Sequence, residues 1–294
     1  MTNPAQGAAE RLATGMSFTE GPVWIAEHAM LLFTDIPANS IMSWTEADGL
    51  DTWTDSAHFA IGLSREAGGR VIACEHSTRS LTALEVTATG PGARTVLARS
   101  VSGRVLNSTN DVIVASDGSI LFTDPPFGVR NLEGALHGYQ QAMELPHCSV
   151  FRVTEDPDAP EDLTGDIYRP NGLCLSPDES VLYVSDSSDT HHKVIAFDVG
   201  PGWRLSNMRD FAVMPVGVPD GMRADREGNL WIAGGDGLYL HAPDGRQIGH
   251  VTVPEMVTNL EFGGADGRDV FITATTSLYR VRSTLPGARR PHSG

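Results

Sequence analysis

Four short segments of the chain place an oxygen-bearing side chain immediately before an apolar run. We call these side chains the anchors: Glu20, Asn110, Asn171 and Asp220. Two carboxylates and two amides form a set of hard oxygen ligands, which suits Ca²⁺ first and Mg²⁺ or Mn²⁺ next. Zn²⁺ is a further option, although zinc sites normally include His or Cys. We therefore expect the anchors to hold one divalent metal ion if the fold brings them together.

Six internal repeats explain why the anchors recur. Each repeat contains a short run of apolar residues followed by small or acidic ones, as in residues 31–35 and 120–124. The spacings between successive runs are 39, 50, 61, 48 and 40 residues, taken at Phe33, Ile72, Phe122, Tyr183, Trp231 and Phe271. A period that averages in the forties is typical of a four-stranded propeller blade.

The order of elements is the same in every repeat. An anchor position comes first, then the apolar run, then an alternating strand and a weaker fourth strand; the anchor positions carry Glu20, Ile61, Asn110, Asn171, Asp220 and Asn259. This order predicts an all-β protein, a six-bladed β-propeller with four antiparallel strands per blade, and residues 1–294 as a single domain. A β-sandwich is the alternative.

The sixth repeat ends before its outer strand. Residues 10–14 lie about as far before Glu20 as an outer strand should, so we expect the N-terminal strand to complete the last blade and close the ring. Residues 283–294 are rich in Pro, Gly and Arg and are expected to form a loose tail.

The predicted topology places the anchors around one mouth of the central channel, because every innermost strand begins on the same face. The ends of the second strands add an outer ring of carboxylates on that face, among them Glu75 and Asp124. The longest connection, residues 125–147, rises there and is a candidate lid. Asn and Asp also cap turns before strands. Four oxygen-bearing residues at six equivalent positions, one of them a Glu without a turn role, favour the metal interpretation.

Composition limits the partners. The formal net charge of −16 argues against nucleic acid and against an anionic membrane surface. No apolar run approaches the ~20 residues of a membrane span. The three cysteines, Cys74, Cys148 and Cys174, follow no metal-ligand spacing and are expected to be free thiols in a reducing compartment. Residues 1–11 lack the apolar core of a secretory signal, so we expect a cytoplasmic protein. The oligomeric state is not predicted.

Several segments resemble the senescence-marker-protein/gluconolactonase/luciferin-regenerating family of six-bladed propellers. The similarity is greatest to bacterial gluconolactonase-like members, and it is carried by residues 106–112, 122–128, 169–172 and 219–221 in order and register. The resemblance implies that Glu20, Asn171 and Asp220 hold a divalent metal, with Asn110 nearby as a ligand or substrate contact. It also implies hydrolysis of a sugar lactone. Animal members carry Arg where this chain has Ser108, so that residue's role is not transferred.

Further roles follow from the resemblance and from the expected mechanism. Glu75, His76 and Arg79 are similar to a substrate-contacting Glu-His-x-x-Arg stretch of bacterial members. A metal-polarised lactone carbonyl would be attacked by water, with Asp220 as the first choice of general base and Glu20 as the second. Asp124 is expected to contact substrate, to serve as base instead or to support the ligands.

Two other functions fit the same sequence features. A related propeller with a similar calcium site hydrolyses organophosphates, which makes phosphotriester hydrolysis the nearest enzymatic alternative. The other alternative is a protein-binding scaffold with structural calcium. A scaffold has no need of polar ligands at the channel mouth beneath a long loop, so the anchors favour an enzyme.

Overall fold

The computed structural model describes residues 3–87, 89–129 and 142–288. Strands are numbered in chain order, and the first, β1 (Ala5–Thr14), belongs to the last sheet. Blade 1 contains β2 (Thr19–Ile25), β3 (Met30–Asp35), β4 (Ser40–Thr45) and β5 (Gly49–Thr54). Blade 2 contains β6 (Ala60–Arg65), β7 (Val71–Glu75), β8 (Ser80–Thr87) and β9 (Gly90–Ala98), and a two-stranded ribbon of β10 (Ser100–Val101) and β11 (Arg104–Val105) follows it.

The remaining four blades follow the same up-and-down order. Blade 3 contains β12 (Val112–Val114), β13 (Ile120–Thr123), β14 (Val150–Arg152) and β15 (Glu161–Asp162), and blade 4 contains β16 (Pro170–Leu175), β17 (Val181–Asp186), β18 (Lys193–Val199) and β19 (Leu205–Val213). Blade 5 contains β20 (Met222–Ala224), β21 (Leu230–Gly234), β22 (Gly237–His241) and β23 (Gln247–Thr252). Blade 6 contains β24 (Val257–Gly263), β25 (Asp269–Ala274), β26 (Ser277–Ser283) and β1. Two short 3₁₀ helices span Ala26–His28 and Pro201–Trp203.

The first strand closes the ring, as the sequence predicted. β1 pairs antiparallel with β26 from Ala5↔Ser283 to Thr14↔Ser277, and it extends further towards the N-terminus than expected. Packing joins the same two blades: the rings of Trp24 in blade 1 and Phe271 in blade 6 stack with centroids 5.3 Å apart. The all-β, six-bladed propeller with four antiparallel strands per blade is therefore confirmed.

The hydrophobic core lies between neighbouring blades. All six residues of β3 and all five of β7 are buried, because a second strand has a neighbouring blade on each face. This is why the sequence shows continuous apolar runs at these positions instead of alternation. Each fully buried Leu, Ile or Phe contributes about 1.5–3 kcal/mol to folding, so the stacked blades hold the innermost strands firmly around the channel.

Part of the predicted loose tail is hydrogen-bonded, which corrects that expectation. Arg226 N donates to Pro286 O at 3.0 Å, and Ala288 N donates to Ala224 O at 2.9 Å. Thr284 N donates to Pro4 O at 2.8 Å. Residues 284–288 therefore pack onto the propeller, whereas residues 289–294 lie outside the described part of the chain.

Two other sequence predictions concern features away from the channel. The three cysteines are free and buried, as expected. Among the described residues, no helix has the length and apolar content needed to cross a membrane.

Candidate active site

The anchors lie where the innermost strands begin, at irregularities in the pairing. Glu20 and Asn171 are the second residues of β2 and β16. The register with the second strand shifts directly after Glu20, and Asn171 lies within the shift between Pro170 and Leu173. Asn110 and Asp220 stand two residues before β12 and β20. A bulge redirects a side chain out of the strict in–out alternation of a strand. The local geometry of four blades thus presents the anchors at the same mouth of the channel.

Hydroxyl groups of the second strands fix the anchor segments to the neighbouring blade. Thr123 Oγ1 donates to Asn171 O at 2.8 Å, and Ser185 Oγ donates to Asp220 O at 2.7 Å. In both cases the donor belongs to one blade and the anchor to the next. Each bond ties the main chain of an anchor to the neighbouring blade, so the anchors stand on well-held backbone.

The structure brings the four anchors together. Asn110 Nδ2 donates to Asn171 Oδ1 at 2.6 Å. Asp220 is close enough to Asn171 and Glu20 for hydrogen bonding with both to affect its pKa. Glu20, Asn110 and Asn171 are buried, whereas Asp220 is partly accessible at the mouth. The arrangement is a compact group of oxygen atoms at the entrance to the channel.

The two anchor carboxyl groups lie close together in a buried site, and both have raised pKa values. Burial raises the pKa of Glu20 to about 7, and the charge of Asp111 adds to the rise, while hydrogen bonds from Asn259 and Gly21 oppose it. Burial also raises the pKa of Asp220 well above its usual range, followed by the charges of Glu20 and Asp111. A cation placed among these groups would remove the repulsion and favour the ionised carboxylates.

The residues present fit a divalent metal ion with oxygen ligands. The Oδ1 atom of Asp220 is buried and receives no hydrogen bond from any described residue, so it has an unmet demand for a positive partner. Among the described residues, no group of three or more His, Cys, Asp or Glu side chains is arranged to hold a metal. The anchor group offers two carboxylates and two amides instead. This donor set matches Ca²⁺ better than Zn²⁺.

The position after the anchor is glycine in four blades. A Cβ atom on Gly21, Gly62 or Gly172 would lie 2.0–2.5 Å from a carbonyl oxygen of the next blade, because the innermost strands approach each other closely around the channel. Strand pairing assigns the same position to Asp111 in blade 3 and Asn259 in blade 6. Only these two of the six equivalent positions carry a side chain.

The sequence assigned blade 6 one residue out of register. The sequence predicts Asn259 at the sixth anchor position, but Gly221 N donates to Thr258 O at 2.8 Å, as Gly62 N donates to Asn110 O at 2.8 Å. Thr258 is therefore the equivalent of Asn110. Sequence analysis also missed Asp111 and Asn259 as neighbours of the site. The glycine that follows the anchor in four repeats was the available signal, since it marks a crowded position where two repeats retain a polar side chain.

Two of the expected substrate contacts make structural bonds. Both Asp124 oxygens accept main-chain hydrogen bonds, from Asn107 N at 2.7 Å and Ser108 N at 2.8 Å. Burial raises the pKa of Asp124 to about 7, and these bonds oppose the rise. Glu75 is held by Arg94 of β9 and by Thr82, so it points along its own blade. The structure does not bring either carboxylate into the anchor group.

Arg79 and His76 lie beside the segment that leads to Asn110. Arg79 is buried, and its Nε donates to Leu106 O at 2.6 Å and to Asn107 O at 3.0 Å. His76 is 1% exposed, and its ring packs against Gly128, where an added Cβ would lie 2.6 Å from Nδ1. Both residues therefore lie against the segments that form the wall of the mouth next to Asn110.

The described start of the long loop occupies the space beside Ser108. The Ser108 hydroxyl donates to Pro125 O at 2.6 Å and accepts from Gly128 N at 3.0 Å. A longer side chain at position 108 would displace residues 125–128. Most of the loop expected to act as a lid, residues 130–141, lies outside the described part of the chain.

A cavity of about 640 Å³ lies at the other end of the channel. It is lined by the far ends of innermost strands and the turns beyond them, including Trp24, Arg65, Glu261 and Arg226. Trp24 is four residues beyond Glu20, which is roughly 13 Å along an extended strand. The cavity is thus separate from the anchors, and the chemistry of the anchors, rather than cavity size, locates the candidate site.

Known proteins of similar sequence and structure agree with this fold. A family model described as the SMP-30/Gluconolactonase/LRE-like region matches residues 18–276. A gluconolactonase of Zymomonas mobilis is 32% identical over 302 residues, covering 95% of this chain and 82% of that protein. Regucalcin of Danio rerio is 28% identical over 290 residues, covering 94% of this chain and 88% of that protein.

A solved structure shows the same relationship. A gluconolactonase from Xanthomonas campestris superposes with a TM-score of 0.83 at 34% identity, covering 96% of this chain and 97% of that one. Because the family model covers most of the chain and two relatives exceed 30% identity over nearly its whole length, the evolutionary relationship is clear. The chain belongs to the SMP-30/gluconolactonase/LRE-like family.

Proposed function

We propose that the protein is a divalent-metal-dependent lactonase that opens a sugar lactone. Membership of the family and the two gluconolactonases similar to this chain support lactone hydrolysis. Metal dependence rests on one observation: Asp220 lies beside Glu20 and Asn171, and its Oδ1 is a buried oxygen with no donor among the described residues. A bound cation would supply the positive partner that this oxygen lacks.

Glu20, Asn171 and Asp220 would hold the ion, with Ca²⁺ as the first candidate and Mg²⁺, Mn²⁺ or Zn²⁺ as alternatives. Asn110 would be a fourth ligand or a substrate contact, since its amide is bonded to Asn171. When bound, the ion supplies a Lewis acid that polarises the lactone carbonyl and stabilises the negative charge that develops on its oxygen.

Asp220 is our first choice of general base. It is the anchor with access to the mouth of the channel, whereas Glu20, the second choice, is buried. Water attacks the carbonyl carbon and passes a proton to the carboxylate; the ring C–O bond then breaks, and the ring oxygen leaves with a proton to give the hydroxy acid. A raised pKa makes a carboxylate a stronger base, and a bound cation offsets part of that gain.

Arg79 and Asp124 would act on substrate binding through the segment that they hold. Their side chains bond the main chain at residues 106–108 from two directions, and this segment leads directly to Asn110. Glu75 and His76 remain proposed substrate contacts. Substitution of Arg79 or Asp124 is expected to move Asn110 as well as to change local contacts.

The experiment compares Asp220→Ala and Asn171→Ala with Asp178→Ala, which alters an exposed turn of blade 4. Acid release from glucono-δ-lactone is followed with a pH indicator in the presence of Ca²⁺ and after chelation. We expect the two anchor variants to lose about a thousandfold or more in kcat/KM, since stabilisation by a metal is worth several kcal/mol. The Asp178 variant should match the parent.

Thermal melting of each variant in chelator establishes that it is folded. Undiminished lactone hydrolysis after complete chelation would contradict metal dependence. Hydrolysis of a fluorophosphate but of no lactone would replace the proposal by phosphotriester hydrolysis, and the absence of both activities would favour a binding scaffold.

A further inference from the structure

Blade 6 departs from its neighbours at the channel mouth. Its anchor-equivalent residue, Thr258, donates its hydroxyl to Thr19 O at 2.7 Å, so this side chain is bonded to the main chain of blade 1. The following position, glycine in four blades, carries Asn259 with 1% of its surface exposed. Blade 6 thus presents a buried amide where most blades present no side chain.

The amide of Asn259 has one possible orientation. Its Oδ1 accepts a hydrogen bond from Leu260 N at 2.9 Å, which requires the NH₂ group to face the other way. There Nδ2 donates to Glu20 Oε2 at 2.9 Å. The same oxygen accepts from Gly21 N at 2.5 Å. Two donors therefore engage Oε2, and Oε1 is the oxygen of Glu20 that neither of them occupies.

Close packing holds this amide in place. A Cβ atom on Gly221 would lie 2.0 Å from both Cγ and Oδ1 of Asn259, so the amide rests directly against the backbone that follows Asp220. The Asn259 side chain consequently lies between the segments that carry Glu20 and Asp220. Its bond to Glu20 joins residues 239 positions apart in the chain.

From this geometry we infer that Asn259 is a positioning residue that turns Glu20 towards the metal ion. The inference rests on the proposed function, because it requires a divalent cation among the anchors. Asn259 has both amide atoms committed to protein partners, so it acts on the ion through Glu20. Hydrogen bonds to the ligands of a metal commonly fix their orientation and strengthen binding.

The test measures Ca²⁺ binding by isothermal titration calorimetry to the parent, Asn259→Ala and Asn259→Ser. A serine can still bond Leu260 N but is too short to reach Glu20. The matched control is Asn229→Ala, because Asn229 is also buried and donates from Nδ2 to a carboxylate, Asp225 Oδ2 at 2.8 Å, away from the anchors. Melting temperatures in chelator report the metal-free fold of every variant.

We expect both Asn259 variants to bind Ca²⁺ about ten- to a hundredfold more weakly, the loss of one hydrogen bond to a charged group. Their kcat should return close to that of the parent at saturating Ca²⁺, and the Asn229 variant should keep parental Ca²⁺ affinity. The inference would be overturned if the Asn259 variants had an unchanged dissociation constant for Ca²⁺, or if the Asn229 variant lost as much Ca²⁺ affinity as they do. It would also be overturned if both Asn259 variants failed to fold in chelator. Absence of divalent-ion binding by the parent would instead overturn the proposed metal site together with it.

Discussion

The two ends of the central channel treat buried charge in opposite ways. Towards the far end, Arg223 Nε donates to Glu261 Oε2 at 3.0 Å, and Arg65 pairs with Glu27. At the anchor end, Glu20 and Asp220 lie against each other, and the described residues include no Lys, Arg or His ion-paired with either. One end is neutralised by the chain itself, whereas the two carboxyl groups at the other end have no ion-paired cation among the described residues, and their pKa values are raised.

This difference indicates which end is built for a ligand. Burying a carboxylate without a partner costs free energy, so a fold retains such groups where an external partner supplies the missing charge. The far-end cavity is lined by the acidic residues Glu261 and Asp266, and each already has an arginine partner, Arg223 and Arg282 respectively. The carboxylates of the far-end cavity are already paired with arginines, whereas within the described part of the chain Glu20 and Asp220 are not. Only the anchor group would therefore gain from binding a cation.

The largest effect on stability is expected when the buried ion pair between Arg223 and Glu261 is broken. In Arg223→Met, Glu261 would remain half enclosed without its cation, and removing one partner of a buried pair typically costs about 3–5 kcal/mol. Chemical denaturation should show this loss. The double variant Arg223→Met/Glu261→Gln should recover most of it, because no unpaired charge is left. Equal stability of the single variant and the parent would show that the far end is not neutralised by this pair.

The second prediction concerns the anchor end: the stability of the metal-free protein should depend on pH. Glu20 has a folded pKa of about 7 against an ordinary value of 4.5, so the folded state retains a proton that the unfolded chain releases. This retained proton on Glu20 stabilises the folded state by up to about 3 kcal/mol. The stabilisation is fully present below pH 4.5 and is lost as the pH rises through 7. Asp220 is shifted in the same direction.

Thermal melts between pH 4.5 and 8 measure this effect. Relative to Glu20→Gln, the metal-free parent should lose stability across that window, and saturating Ca²⁺ should remove the difference. A parent that gains stability relative to Glu20→Gln as the pH rises in chelator would contradict the claim that the anchor end lacks a cation.

The smallest effect is expected at the exposed far-end pair. Glu27 is 47% exposed where it meets Arg65, and solvent-exposed pairs of this kind contribute about 0–1 kcal/mol. Glu27→Gln should therefore change the denaturation midpoint only slightly and leave Ca²⁺ binding untouched. A loss as large as that of Arg223→Met would mean that the two far-end pairs act as one network.

Local chemistry explains which features could be predicted. Each anchor is followed by a short strand with buried faces. This pattern repeats because every blade packs between two neighbouring blades. Glu20, Asn110, Asn171 and Asp220 could be found because an acid or amide before an apolar run is visible within a few residues. Ring closure could be predicted because the last repeat lacks a strand and the N-terminus supplies one.

Contacts across blades explain what could not be predicted. Asp124 and Arg79 are predicted substrate contacts, and the structure adds that both bond the main chain of residues 106–108. No local pattern in the sequence reveals such bonds. Asn259 was displaced by one position because the distance from the anchor to the apolar run varies between repeats, so the period of the repeats cannot distinguish Asn259 from the adjacent Thr258.

The sequence by itself determined the propeller, the repeat of the anchors and the oxygen chemistry of the proposed site, because these depend on residue types at short spacing. Only the tertiary structure decided which oxygen of Glu20 is engaged, which carboxylates stay without a cation and which end of the channel is neutralised. Those properties depend on pairs such as Asn259 and Glu20, which are remote in the chain and meet only because the ring closes between blades 6 and 1.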